Sequence, residues 1–138
     1  MSNVDLNSIE QRLRAAGLRP TRQRLALAEL LFGAGHRHVT AEQLHREARD
    51  AGLSVSLATI YNTLNQFSEV GLLREVVTNG NHTYYDTNTA EHHHFYLEER
   101  DQLIDIPADD LRLAGLPPLP AGKKVKGVDI IIRLAEEG

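Results

Sequence analysis

The sequence predicts an α+β fold in which a helical first part is followed by short strands. Apolar residues recur at three- and four-residue spacing through most of the first 70 positions, and after Gly71 the period changes to β-branched and aromatic runs. The composition, 41% hydrophobic and 25% charged, is typical of a globular chain. A length of 138 residues suits one ordinary domain or two small ones.

Four helices are predicted from their apolar faces and their end signals. The first covers residues 5–16, the second and third begin after the caps Thr21 and Thr40, and the fourth begins after Ser54 or Ser56. A hairpin follows, with strands at residues 72–78 and 82–86 joined through Asn79 and Gly80, a pair typical of a type I′ turn. Helices followed by a hairpin in this order predict a winged helix-turn-helix domain over residues 1–86.

Residues 87–138 predict a second, smaller α/β unit. Short strands are expected at residues 95–97 and 103–106, helical turns at 109–114, a proline-rich loop at 115–122, and a strand buried on both faces within 126–134. Such a small sheet buries too little surface to be stable alone. We therefore expect this unit to be a dimerisation domain that pairs with a second copy about a twofold axis, with a tetramer left open.

Charge and composition restrict the partners. The chain has no cysteine, which excludes disulfides, thiol catalysis and cysteine-bound zinc. No run approaches roughly 18 apolar residues and the N-terminus lacks a signal-peptide core, so we expect a cytoplasmic protein without a membrane partner. Net charge is −4, but residues 1–85 carry nine arginines against eight acidic residues, whereas residues 86–138 carry six basic against eleven acidic. Only the first part is expected to meet a polyanion.

The fourth helix is the candidate DNA-reading element. Leu57, Ile60 and Leu64 are predicted to face inward, which leaves polar side chains on the other face, where they form either ordinary surface or a major-groove contact. These candidate contacts are Thr59, Tyr61, Asn62 and Thr63.

Three consecutive histidines form the candidate metal segment. If extended, His92 and His94 lie on one face about 7 Å apart, with His93 on the other. Imidazole and carboxylate ligands suit zinc, iron and manganese. His45, seven residues after His38, is a further candidate ligand. An enzyme with a catalytic metal is an alternative, but the short second unit offers little to build a pocket and leaves the winged helix unexplained.

Several motifs resemble the ferric uptake regulator superfamily. They are residues 17–24 and 38–42, residues 57–65 of the fourth helix, and the stretch 91–94. Three departures, at Asn62, at Phe95, and at Glu98 and Asp101 where many members have cysteines, resemble its iron response regulator (Irr) subgroup. The resemblance implies an iron-responsive transcriptional regulator that binds operator DNA as a dimer, with affinity modulated by haem or a divalent metal. The alternative is a winged-helix regulator that senses manganese or zinc, or that has no metal switch.

The resemblance also implies roles for individual residues. Arg19 would enter the minor groove, and Tyr61 and Asn62 the major groove. A hinge site would use His38, Asp86 and His93, with Asp105 as a further candidate, and would fix the angle between the two domains. A second site would use His92 and His94 with one carboxylate from Asp109, Asp110 or Asp129. In the Irr subgroup the protein acts when iron is scarce, and haem switches it off.

Overall fold

The structure is a computed structural model that describes residues 6–78, 82–90 and 92–137. Its contacts divide the chain into two units, Met1–Thr89 and Ala90–Gly138. The division falls three residues after the predicted boundary at residue 86. Each unit is described by itself.

The described residues of the first unit form four helices and a hairpin in the predicted order, together with one further short strand. Side-chain caps start three of the helices, because the hydroxyls of Thr21, Thr40 and Ser56 accept hydrogen bonds from backbone N–H groups inside the first turn. The fourth helix therefore begins after Ser56 and not after Ser54. The elements are α1 (Leu6–Ala15), α2 (Arg22–Phe32), β1 (His38–Val39), α3 (Ala41–Asp50), α4 (Leu57–Glu69), β2 (Arg74–Val77) and β3 (Thr83–Asp86).

The core of this unit lies between the four helices and is covered by the sheet. Most of its residues lie on the apolar faces of the helices, and burial of this surface is the main source of stability. The largest fully buried side chains of this core are Ile9, Leu13, Leu27, Leu31, Leu44, Ile60, Leu64 and Phe67. Leu57 is an exception: it was predicted to face inward but is 36% exposed, because it occupies the first turn of α4, before the helix reaches the core.

The sheet of the first unit has the order β1-β3-β2, with both pairs antiparallel. The hairpin of β2 and β3 was predicted, although the turn residues Asn79 and Gly80 lie outside the described residues. β1 was not predicted, since two residues carry no measurable periodicity. Its pairing places His38 directly opposite Asp86.

The second unit contains β4 (His93–Leu97), β5 (Gln102–Ile106), a single 3₁₀ turn (Ala108–Asp110) and β6 (Ile131–Leu134). The sheet order is β5-β4-β6, with β4 antiparallel to β5 and parallel to β6.

Two predictions for this unit were wrong. The helical turns expected at residues 109–114 are limited to the 3₁₀ turn, because Leu111 already has an extended backbone and prolines follow shortly afterwards. The last strand was expected to be buried on both faces, but none of its residues is buried. Among the described strands β6 pairs with β4 alone, so it lies at the edge of this sheet.

No helix in the described part of the chain has the length and apolar character required to span a membrane.

Candidate nucleic-acid interface and metal centre

The first half of α4 presents polar groups to solvent. Tyr61 is 37% exposed and Asn62 is exposed. Thr59 is half-buried, and its hydroxyl accepts a hydrogen bond from the hydroxyl of the cap Ser56. Thr63 was predicted to be available to a groove, but only 5% of it is exposed. Thr63 lies three residues after the core residue Ile60 and four before Phe67, which puts it on the buried face of α4. The predicted groove contact of Thr63 is therefore wrong for this conformation.

A hydrogen bond joins the exposed tyrosine to the neighbouring helix. The Tyr61 hydroxyl donates to Oε1 of Glu42, at the start of α3, over 2.6 Å. This bond is the largest cause that lowers the pKa of Glu42 and raises the pKa of Tyr61. The contact of Glu42 with Tyr61 was not predicted, because no local pattern links residues 19 positions apart on different helices.

One turn after Tyr61, α4 is contacted by a second tyrosine, which lies on β3. The Tyr85 hydroxyl donates to Oδ1 of Asn65 over 3.0 Å. Burial, followed by nearby acidic and tyrosine groups, raises the pKa of Tyr85 to about 12. Tyr85 therefore stays protonated, and its hydrogen bond to Asn65 holds strand β3 against α4.

Arg24 connects the candidate minor-groove residue to α4. Its guanidinium donates to the backbone carbonyl of Arg19 over 2.9 Å and to Oε1 of Gln66 over 3.1 Å. Arg19 itself is exposed. The loop that carries Arg19 is thus bonded to the helix that carries Tyr61, a link that arginine-rich composition alone does not reveal.

In the first unit, the pairing of β1 with β3 brings one histidine to one buried carboxylate. Nε2 of His38 lies 3.9 Å from Oδ2 of Asp86. Asp86 is only 1% exposed, and its Oδ1 accepts a hydrogen bond from the backbone N–H of Asn88. These two predicted ligands are therefore adjacent.

In the second unit, two histidines converge on a third predicted ligand. Oδ1 of Asp105 lies 3.7 Å from Nε2 of His92 and 3.4 Å from Nε2 of His94, and the two imidazole rings are 4.6 Å apart. Both histidines are buried. The alternation of side chains along an extended chain explains why they share a face, as predicted.

The backbone fixes which nitrogen of His92 carries the proton. Nδ1 of His92 lies 2.6 Å from the carbonyl oxygen of Ala90. A carbonyl only accepts, so Nδ1 must be the protonated nitrogen, and in the neutral ring the lone pair is on Nε2, facing Asp105. Histidines that bind metals commonly have this arrangement, with the second ring nitrogen held by a backbone carbonyl or carboxylate.

His93 points to the other face and has a different partner. Its Nδ1 accepts a hydrogen bond of 3.1 Å from the backbone N–H of Ile130, just before β6. The neutral ring therefore carries its proton on Nε2 and offers no free lone pair. The predicted grouping of His93 with Asp105 is wrong: within this unit, Asp105 belongs with His92 and His94.

The three carboxylates proposed as partners of His92 and His94 are all exposed side chains. Asp109 is almost fully exposed and pairs with Arg112, and Asp110 and Asp129 are exposed. His45, a further predicted ligand, has a hydrogen-bond partner in the backbone. Its Nε2 donates to the carbonyl of Val55 over 3.0 Å, which anchors the α3–α4 connection. Among the described residues, no group of three or more ligand atoms includes His45.

The chain matches one protein family. Residues 15–115 match the Ferric uptake regulator family. The peroxide-responsive repressor PerR of Staphylococcus aureus is 32% identical over 111 residues, which cover 75% of this chain and 74% of the relative. The chain therefore belongs to the ferric uptake regulator family, whose members are metal-responsive transcription regulators and not enzymes.

Solved structures support the same fold. The ferric uptake regulator of Pseudomonas aeruginosa with manganese matches with a TM-score of 0.73 at 23% identity, over 94% of this chain and 98% of that one. The regulator of Vibrio cholerae matches with a TM-score of 0.71 at 23% identity, over 91% and 98%. These structures confirm the predicted α+β fold. The assignment to the Irr subgroup stays a prediction.

Proposed function

We propose that this protein is an iron-responsive transcriptional regulator that binds operator DNA as a homodimer, with its DNA affinity set by a ligand bound through histidines. The observation that carries the proposal is the convergence of His92, His94 and Asp105, with the His92 lone pair directed at the carboxylate by the Ala90 carbonyl. Membership of a family of metal-responsive regulators supports it.

The donor set fits a divalent metal ion. Two neutral imidazoles and a carboxylate suit iron, manganese and zinc. His38 and Asp86 offer the same two donor types in the first unit. We propose that both groups supply ligands. Haem is the alternative iron-containing ligand, and it too would bind through histidine because no cysteine is present.

DNA binding is assigned to α4 and the loop before α2. Tyr61 and Asn62 are exposed on α4, and Arg19 is exposed beside it and tied to it through Arg24. Amide and phenol groups read base edges in the major groove, while arginine suits the narrow minor groove. Thr59 is a further contact with partial exposure.

A binding experiment tests the proposal. Affinity for an AT-rich palindromic operator is measured with the protein free of metal and with Fe(II), Mn(II), Zn(II) or haem. We expect salt-dependent binding that changes with at least one of these ligands. His94→Ala should abolish that response, and His36→Ala, an exposed histidine in the same chain, should retain it. Equal affinity under all conditions would refute ligand sensing, and no operator preference would refute the regulator.

Metal stoichiometry shows whether the two donor groups serve one ion or two. The number of Mn(II) ions bound per chain is measured for the wild type, His38→Ala and His94→Ala. If the groups serve one ion, each variant should lose the same ion. If they serve two, each variant should lose a different one, and the double variant should lose both.

A second candidate function is a response to peroxide. The similarity to the peroxide-responsive repressor of S. aureus favours it. With no cysteine and one methionine in 138 residues, sulfur offers little for peroxide to oxidise, so such a response would depend on a redox-active metal. Hydrogen peroxide should then release operator DNA from protein loaded with Fe(II) but not from protein loaded with Mn(II). Identical behaviour of the two loaded forms would rule this function out.

A further inference from the structure

Glu42 contacts the exposed tyrosine of α4 although it lies on another helix. The distance of 2.6 Å between the Tyr61 hydroxyl and Oε1 of Glu42 is typical of a charge-assisted hydrogen bond. Glu42 is at the start of α3, whose cap Thr40 and buried residues Ala41 and Leu44 hold that turn in place. The carboxylate is therefore presented by a rigid element.

The direction of this hydrogen bond follows from chemistry. An ionised carboxylate has no proton to donate, so the phenol must be the donor. Tyr61 has one hydroxyl proton, and that proton is already donated in the hydrogen bond to Glu42. The phenol oxygen then has only lone pairs left for any other partner. The mutual pKa shifts, downward for Glu42 and upward for Tyr61, agree with this direction.

We propose that Glu42 is a specificity-determining residue, because it makes the exposed Tyr61 hydroxyl a pure hydrogen-bond acceptor. In the major groove an acceptor pairs with the amino groups of adenine or cytosine, whereas guanine presents only acceptors there. Tyr61 should thus select a base that carries a major-groove amino group and disfavour guanine at the same position. This inference rests on the proposed function, in which α4 reads operator DNA.

Base substitution in the operator tests the inference. Each base pair of the operator is replaced in turn, and affinities are measured for the wild type and for variants. At one position per half-site, the wild type should prefer adenine or cytosine over guanine. Tyr61→Phe should remove that preference and leave the other positions unchanged. Because one good base contact is involved, the preference should change at least about fivefold.

Two substitutions of Glu42 separate hydrogen bonding from shape. Glu42→Ala frees the hydroxyl proton, and Glu42→Leu also frees it while roughly keeping the side-chain size, since neither side chain can accept a hydrogen bond. Both should relax the preference at the Tyr61 position. Glu69→Ala, which removes the same charge at the exposed end of α4, should leave it intact. In a Tyr61→Phe background, Glu42→Ala should have no further effect on base preference.

The possible failures are distinguishable. Retained preference in both Glu42 variants, or an effect of Glu42→Ala that persists without the phenol oxygen, would overturn this inference while leaving operator binding established. A wild-type protein with no base preference at any position would overturn the proposed function and this inference with it. A uniform change at all operator positions in Glu42→Ala alone would show an effect of charge only, and would also overturn the inference.

Discussion

His92, His93 and His94 are adjacent in sequence, the first just before β4 and the other two in it, but the three rings have different partners. His92 donates to the Ala90 carbonyl, His94 approaches Asp105, and His93 accepts from the Ile130 N–H. Alternation along an extended chain predicts that His92 and His94 share a face, as they do in the structure. The partners of each ring depend on the pairing of β4 with β5 and β6, which residue spacing does not determine.

Replacement of His93 should destabilise the second unit without removing the candidate metal ligands. His93→Ala deletes the acceptor of the Ile130 N–H and opens space around a buried ring, so we expect a loss of about 1–3 kcal/mol in the free energy of unfolding. Chemical denaturation measures the loss, and Mn(II) titration measures metal affinity. A loss of Mn(II) affinity as large as that of His94→Ala would show that His93 is itself a ligand.

Tyr61→Phe should raise the pKa of Glu42 toward its ordinary value. The hydrogen bond from Tyr61 is the largest cause of the lowered pKa, while the charges of His82 and Arg46 remain in the variant. Because the folded-state pKa is lowered, the associated stability is present above about pH 4.5 and is lost as pH falls through the folded-state value. Titration of the Glu42 carboxyl by NMR measures this shift. An identical pKa in both proteins would contradict the role of the bond.

At the scale of elements, strong periodicity and caps were sufficient to predict all four helices and the hairpin. The strands that were missed or wrongly bounded are short segments without a repeating pattern. β1 exists only because His38 and Val39 pair with β3, and β6 is shorter than its apolar run suggests. The contact between Glu42 and Tyr61 likewise requires two helices to pack, and no local rule predicts it.

The start of α4 supplies a test with a built-in control. The sequence allowed either Ser54 or Ser56 as the cap, and only Ser56 accepts the hydrogen bond from the Thr59 N–H, at 3.1 Å. Ser56→Ala should lower the free energy of unfolding by about 0.5–2 kcal/mol. Ser54→Ala, at an exposed neighbouring site, should change it by less than about 0.5 kcal/mol. Equal effects in denaturant unfolding would contradict the assigned cap.

At the scale of the whole molecule, the two units differ in how completely they bury their apolar residues. The first unit has a continuous core between its helices. The second unit leaves six large apolar residues between 39% and 52% exposed. They are Ile104, Leu113, Leu116, Leu119, Val125 and Leu134. A small sheet with exposed apolar residues on both edge strands supports the proposed dimer, in which a second copy covers this surface.

A charge on an edge strand of the second unit should therefore separate the proposed dimer without unfolding the chain. Ile104→Lys alters a side chain of β5 that is 43% exposed, so the fold of one chain should tolerate it, while burial of an unpaired charge between two copies would be costly. Sedimentation analysis should show half the wild-type mass, and operator affinity should fall because two half-sites are no longer bound together. Val77→Lys, at a 65% exposed position of β2, should keep the wild-type mass. An unchanged mass for Ile104→Lys would place the dimer contact elsewhere.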